Sequence, residues 1–142
     1  MALHWTPAMS TGSARLDAQH QELIARLNEL SDAYLDGHGA ARLPDMLEYL
    51  GHYAIEHFLD EESAMETHHC PMAETNRKQH AYFLSRLGEI QKAAAVRGPS
   101  SVILLQTIQE LSGWLITHIQ GCDAKLRGCI VKTPDSRAAV PR

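Results

Sequence analysis

His57-Phe58-Leu59-Asp60-Glu61-Glu62-Ser63-Ala64-Met65 decides how this chain is read. It lies late in a run from Leu43 to about Glu66 whose apolar positions recur every three or four residues: Met46, Leu50, Tyr53 or Ala54, then His57, Glu61 and Met65. At about 3.6 residues per turn, His57 and Glu61 stand one above the other on the apolar face of a helix. An imidazole and a carboxylate aimed into a core need partners, because an unpaired buried carboxylate costs several kcal/mol. Three other helical segments each carry a histidine on their own apolar stripe. The expectation is a metal centre inside a helical bundle.

Composition narrows the class. A chain of 142 residues is one domain by length and large enough to bury a core without staples. Leu, Ala, Glu and Gln dominate its long segments and no run alternates like a strand, so the fold class expected is all-α. The formal charge is −4 and the 13 basic residues form no block, which argues against nucleic acid. No segment approaches the apolar length of a membrane span, and the N-terminal residues have neither a basic nor an apolar leader region, so a cytoplasmic protein away from the membrane is expected. Cys70, Cys122 and Cys129 are odd in number and make no Cys-x-x-Cys, which indicates neither a disulfide framework nor a zinc knuckle. Nine histidines are the anomaly.

Taken in order, residues 1–12 read as an extended arm marked by Trp5 and Pro7. A first helix starts near Ser13 and ends at Asp36-Gly37-His38-Gly39, with the stripe Leu16, His20, Leu23 or Ile24, Leu27, Leu30 and Tyr34. Alone, His20 is more simply a hydrogen-bonded core histidine. A second helix runs from Leu43, with Pro44 in its first turn, to about His68. Alone, its His57 and Glu61 are a structural ion pair, and Asp60 and Glu62 are a solvated face. His68-His69-Cys70-Pro71 breaks the chain. The third helix, Met72 to Val96, carries Asn76, His80, Phe83 or Leu84, Leu87 and Ile90 on one face. Ser100 or Ser101 caps a fourth, with Leu104, Ile108, Leu111, Trp114 or Leu115, and His118. Asp123 follows His118 by five residues, an offset that turns its side chain roughly 140° away on an ideal helix. Both point inward only if the helix loosens at Gly121. Residues 1–131 form the bundle, and 132–142 read as a disordered tail.

Each polar stripe residue has a bland explanation alone, but four helices each placing a histidine inward do not. Bundles build metal sites from such residues, and iron accepts mixed imidazole and carboxylate ligands. The only Glu-x-x-His, Glu66 to His69, sits at a helix end, which disfavours the ferritin-like di-iron pattern. There is no His-Glu-x-x-His of the zinc proteases.

The series Asp17-x-Gln19-His20, His57-Phe58-x-x-Glu61-Glu62-x-x-Met65, Pro71 followed by His80-x-x-Phe83, and Trp114-Leu115-x-x-His118-Ile119-x-x-x-Asp123 resembles the hemerythrin family, bacterial hemerythrins in particular. The resemblance spans about residues 4–130. It implies an up-down-up-down antiparallel four-helix bundle holding two non-haem iron ions with a bridging oxo or hydroxo group, binding O2 reversibly and taking small anions such as azide or peroxide. By the same resemblance, His20 and His57 look like ligands of the iron that takes up O2, Glu61 and Asp123 like carboxylates bridging both irons, and His80 and His118 like ligands of the second iron. Leu23, Trp114 and Ile119 look like the apolar wall of the O2 pocket, keeping bulk water and protons away.

The pattern departs at one place. The family has His-x-x-x-His on the third helix; here His80 is present and Asn76 stands at the earlier position. Three outcomes stay open: Asn76 coordinates weakly or holds a water, a residue such as His69 or Glu74 swings in, or the second ion binds poorly. Three functions follow. The first is an O2 carrier, store or sensor, the second a di-iron oxidase- or peroxidase-like enzyme using the open position, and the third a partly metallated interaction module. Nothing in the residues sets an oligomeric state or names a partner protein.

Overall fold

The helical periods resolve into rods whose ends are set by identifiable caps. The structure, a computed structural model, describes residues 3–37, 39–98 and 100–132. Helix α1 (Ala14–Leu35) begins where the Ser13 side chain accepts from the Leu16 backbone N–H, a contact worth about 1 kcal/mol. Helix α2 spans Gly39–Thr67, α3 Ala73–Arg97 and α4 Ser101–Gly121. Ser100 caps α4 by accepting from the Ile103 N–H at 3.1 Å. A 3-10 turn, Asp123–Lys125, follows α4, and a short helix α5 (Leu126–Lys132) follows that. The four long helices pack as an antiparallel bundle, α1 on α2, α2 on α3, α3 on α4 and α4 back on α1.

Helix α2 starts four residues before the expected Leu43, which puts Pro44 inside it rather than in its first turn. Gly39 explains the early start. A Cβ there would lie 2.4 Å from Leu104 and 2.9 Å from the Tyr34 backbone nitrogen, so only glycine lets α2 begin this close to α1 and α4. At its other end α2 closes with a Schellman motif. His69 takes a left-handed conformation (φ 52°), its N–H reaches the Glu66 carbonyl at 3.1 Å, and the Cys70 N–H reaches the Met65 carbonyl at 2.9 Å.

The stripes named in the sequence form one core, Leu23, Leu27, Leu30, Leu47, Leu50, Phe58, Leu104, Ile108, Leu111 and Ile119 among them, each buried. Burying one such side chain contributes about 1.5–3 kcal/mol. Trp5 packs on this core from the N-terminal arm. The arm is tied down by Asn28, which bonds both the Leu3 N–H and carbonyl at 2.8 and 2.9 Å, and by Asp17, which accepts from the Thr11 N–H and hydroxyl at 2.8 Å each. Part of it is a 3-10 turn, Pro7–Met9. Among the described residues no helix is long and apolar enough to cross a membrane. The tail expected from residue 132 lies outside the described residues from 133 onward.

Candidate metal centre

The bundle interior carries a polar cluster sealed from water. His20, His57, Glu61, Asn76, His80, His118 and Asp123 are each at most 3 % exposed. Glu61, from α2, is at its centre. Its Oε2 lies 3.1 Å from the Nε2 atoms of both His20 and His57, and its Oε1 lies 2.9 Å from His80 Nε2 and 3.5 Å from His118 Nε2. Asp123 is divided in the same way, Oδ2 at 3.0 Å from His20 Nε2 and Oδ1 at 3.0 Å from His118 Nε2. Asp123 reaches inward because α4 stops at Gly121 and Cys122 leaves helical geometry (φ −120°, ψ −57°), so the 3-10 turn returns the carboxylate to the His118 side.

The cluster thus holds two overlapping donor sets, His20–His57–Glu61–Asp123 and Glu61–His80–His118–Asp123, each close enough to surround one ion. Two observations favour a cation over a purely structural network. Neither Asp123 oxygen makes a well-directed hydrogen bond, its 3.0 Å contacts being with the His20 and His118 ring nitrogens, although a fully buried carboxylate needs its lone pairs satisfied. And the Nε2 atoms of His80 and His118 are 3.1 Å apart, the separation of two ligands at right angles on one ion with metal–nitrogen distances of about 2.1 Å.

The opposite ring nitrogens are held from outside. His57 Nδ1–H donates to Gln19 Oε1 at 2.7 Å, His80 Nδ1–H to Glu62 Oε2 at 2.8 Å and His118 Nδ1–H to Gln79 Oε1 at 2.5 Å. A neutral ring whose Nδ1 donates keeps the Nε2 lone pair free, as a metal ligand requires. Only His20 Nδ1 lacks a partner among these rings. Gln19 also donates to Asp60 Oδ2 at 2.8 Å, which Arg15 meets at 2.9 Å. Sequence periodicity had put Asp60 and Glu62 on a solvated face; instead they anchor the cluster's outer layer. Gln19, Glu62 and Gln79 were missed as functional residues, although each is next in sequence to a buried ligand-type residue.

Without a cation the charges must balance internally. Burial works against protonating His20 and His118, but Asp123 and then Glu61 outweigh it and raise both to about 9. Burial pushes the Glu61 carboxyl up, and His57, His118 and His20 more than reverse this, holding it well below its usual range.

The apolar surround is aromatic. Phe58 stacks on His80 with centroids 3.8 Å apart, and Trp114 on His118 at 4.5 Å. Leu23, Phe58, Phe83 and Trp114 help line a cavity of about 10 Å³, room for roughly one water-sized body. Of the expected wall, Leu23 and Trp114 line it, whereas Ile119 is fully buried in the core without lining it.

Asn76 is fully buried one turn before His80. Its Oδ1 accepts from the Cys122 thiol at 3.4 Å and its Nδ2 has no partner. His69 is exposed at the α2 terminus, and exposed Glu74 bonds Arg77 at 2.9 Å. Neither reaches the cluster here.

Residues 11–129 match the model of the hemerythrin HHE cation binding domain. The chain belongs to the hemerythrin family. Among hemerythrins, it is 30% identical over 123 residues to a bacteriohemerythrin of Pseudomonas aeruginosa (strain LESB58), covering 86% of this chain and 77% of that one. A Stenotrophomonas maltophilia bacteriohemerythrin is 30% identical over 121 residues, covering 85% and 76%. The myohemerythrin of Theromyzon tessulatum is 24% identical over 124 residues, covering 87% and 90%.

Proposed function

We propose that this chain is a non-haem di-iron protein that binds O2 reversibly, as carrier, store or sensor. One observation carries the reading: four imidazole Nε2 atoms converge on two buried carboxylates, and each carboxylate divides its oxygens between the two histidine pairs. His20 and His57 would hold one ion, His80 and His118 the other, with Glu61 and Asp123 shared between them. Iron in such a mixed nitrogen and oxygen set supplies the electrons for reversible O2 uptake.

The protein's own part is positioning and exclusion. Gln19, Glu62 and Gln79 fix three rings in the ligand tautomer. Phe58, Trp114 and Leu23 keep the surroundings apolar, and small neutral O2 enters such a space without the desolvation cost an ion incurs. Asn76, with its oxygen engaged by the Cys122 thiol, is a hydrogen-bond donor rather than a metal ligand; its free N–H suits a small acceptor such as water or an anion at the second ion.

That free amide also favours a second reading, an oxidase- or peroxidase-like enzyme in which the position where the family resemblance implies an imidazole admits substrate. Metal analysis with the visible spectrum in azide tests the first reading: two irons per chain and oxo-bridge charge-transfer bands are expected. Release of O2 under vacuum separates carrier from enzyme, since turnover of peroxide with no long-lived oxygenated form favours the second. A single ion without those bands would overturn both.

A further inference from the structure

Cys70 and Cys129 take no part in the reading above, yet the fold gathers them with Cys122. Cys70 lies in the α2–α3 connection, Cys122 follows α4 and Cys129 lies within α5. With Leu16, Met65 and Leu126 they build a small apolar cluster separate from the main core, and no disulfide joins them. Cys70 is fixed by the Schellman motif, its N–H on the Met65 carbonyl and its carbonyl accepting from Ala73 N–H at 3.1 Å. Cys129 packs against this cluster beside Cys70, near enough to act on the Cys70 thiol.

We propose that Cys70 and Cys129 are a dithiol that hydrogen peroxide oxidises to an intrachain disulfide, tying α5 to the α2–α3 connection. The order of events follows exposure. Cys70 and Cys122 are buried and Cys129 is half-buried, so peroxide meets Cys129 first. The Cys129 sulfur attacks one peroxide oxygen, the O–O bond breaks, and sulfenic acid and one water form. The Cys70 sulfur then attacks the Cys129 sulfur; the departing hydroxide takes the Cys70 proton and leaves as a second water. Two thiols are oxidised by two electrons in all, and peroxide is reduced to two waters.

Burial, then Cys129, push the Cys70 thiol up to about 12, which keeps it protonated and makes it the second rather than the first sulfur to react. Nearness to the partner sulfur offsets its low thiolate fraction, as proximity does in other intramolecular reactions. Cys122 is excluded from the pair because its thiol is engaged by Asn76. Helix α5 continues directly from the turn that carries Asp123, so the link would secure that turn as well.

Full-length protein, as purified, is treated with a small excess of hydrogen peroxide, denatured and alkylated. Expected are a mass two hydrogens lower, one alkylatable thiol, a reducible peptide joining Cys70 to Cys129, and a melting temperature about 10 °C higher from closing so long a loop. In Cys70→Ser, oxidation should stop at a Cys129 sulfenic acid that dimedone traps. Three thiols remaining after peroxide is consumed, a linked peptide containing Cys122, or intermolecular dimers as the main product would each overturn the proposal. It does not depend on the metal reading.

Discussion

Glu61→Gln keeps the shape of the central side chain and removes only its charge. In the metal-free protein at pH 7, His20 and His118, raised to about 9, carry protons and are balanced by Glu61 and Asp123. Glutamine leaves those imidazoliums facing Asp123 alone, in a cluster where Glu61, His20 and Asp123 are each 0 % exposed. Breaking a buried ion pair from one side costs roughly 3–5 kcal/mol. With a urea dependence of about 2 kcal/mol per molar, the unfolding midpoint should fall by about 2 M. The same substitution removes an anionic ligand shared by both donor sets, so metal content should drop from two ions per chain to one or none.

The assay is urea unfolding of chelator-treated protein by far-ultraviolet circular dichroism, beside metal analysis of the untreated variant. Glu66→Gln, at an exposed acid on the same helix, is the control and should shift stability by less than about 0.5 kcal/mol. A Glu61→Gln midpoint within a few tenths of a molar of the parent would refute the charge argument. Two ions retained would refute the shared-ligand argument.

Three further outcomes follow from the same geometry. Asn76→His should raise occupancy of the second ion and slow autoxidation several-fold, read as iron per chain and decay of the oxygenated spectrum; an unchanged rate counts against a role for the open position. Glu62→Gln, which weakens the acceptor on His80, should lower metal affinity by about tenfold in a chelator competition, and an unaltered affinity would make that contact incidental. The third concerns pH: His20 and His118 have folded values raised from 6.5 to about 9, so their contribution to metal-free stability is complete below 6.5 and is lost as pH climbs through 9. Each shift corresponds to roughly 3 kcal/mol, though sharing the same carboxylates keeps the pair well short of double. A metal-free urea midpoint that stayed level from pH 6.5 to 9.5 would contradict this.

What could be read from the residues was whatever helical period alone dictates. His20, His57, Glu61, His80 and His118 stand on apolar stripes, and a helix buries its stripe. Even the awkward five-residue step to Asp123 was legible, because Gly121 marked where regular helix would give way. The outer layer was not. Gln19, Glu62 and Gln79 sit beside the stripe, where period predicts solvent, and only the tilt of neighbouring helices turns them toward a ring. The cysteine cluster was hidden for a different reason: it depends on α5 folding back against the α2–α3 connection, and seven residues carry too little pattern to announce a helix. The early start of α2 rested on a close approach at Gly39, a property of three helices at once.

The outer contacts have an order of their own. Gln19 of α1 holds His57 of α2, Glu62 of α2 holds His80 of α3, and Gln79 of α3 holds His118 of α4. Each helix thus orients the imidazole of the next, and the series should close with a residue of α4 holding His20 of α1. It does not, for His20 Nδ1 has no partner. On its Nδ1 side His20 is held only by burial and by an edge contact with His57, centroids 4.5 Å apart, while its Nε2 faces Glu61 at 3.1 Å and Asp123 at 3.0 Å. Ring rotation therefore costs an outer, Nδ1 hydrogen bond at His57, His80 and His118, each about 1 kcal/mol or more, whereas at His20 only the inner contacts to Glu61 and Asp123 resist it. The pair His80–His118 is braced on both rings, with the amide of Asn76 and no third imidazole one turn before His80, whereas His20–His57 is braced on one. On the proposed reading the two halves of the centre would be unequal in opposite senses, one short of a ligand and the other short of a brace. On the proposed di-iron reading, the ion held by His80 and His118 should consequently be the first lost to a chelator, and His20 the ring whose orientation depends most on Glu61 and Asp123.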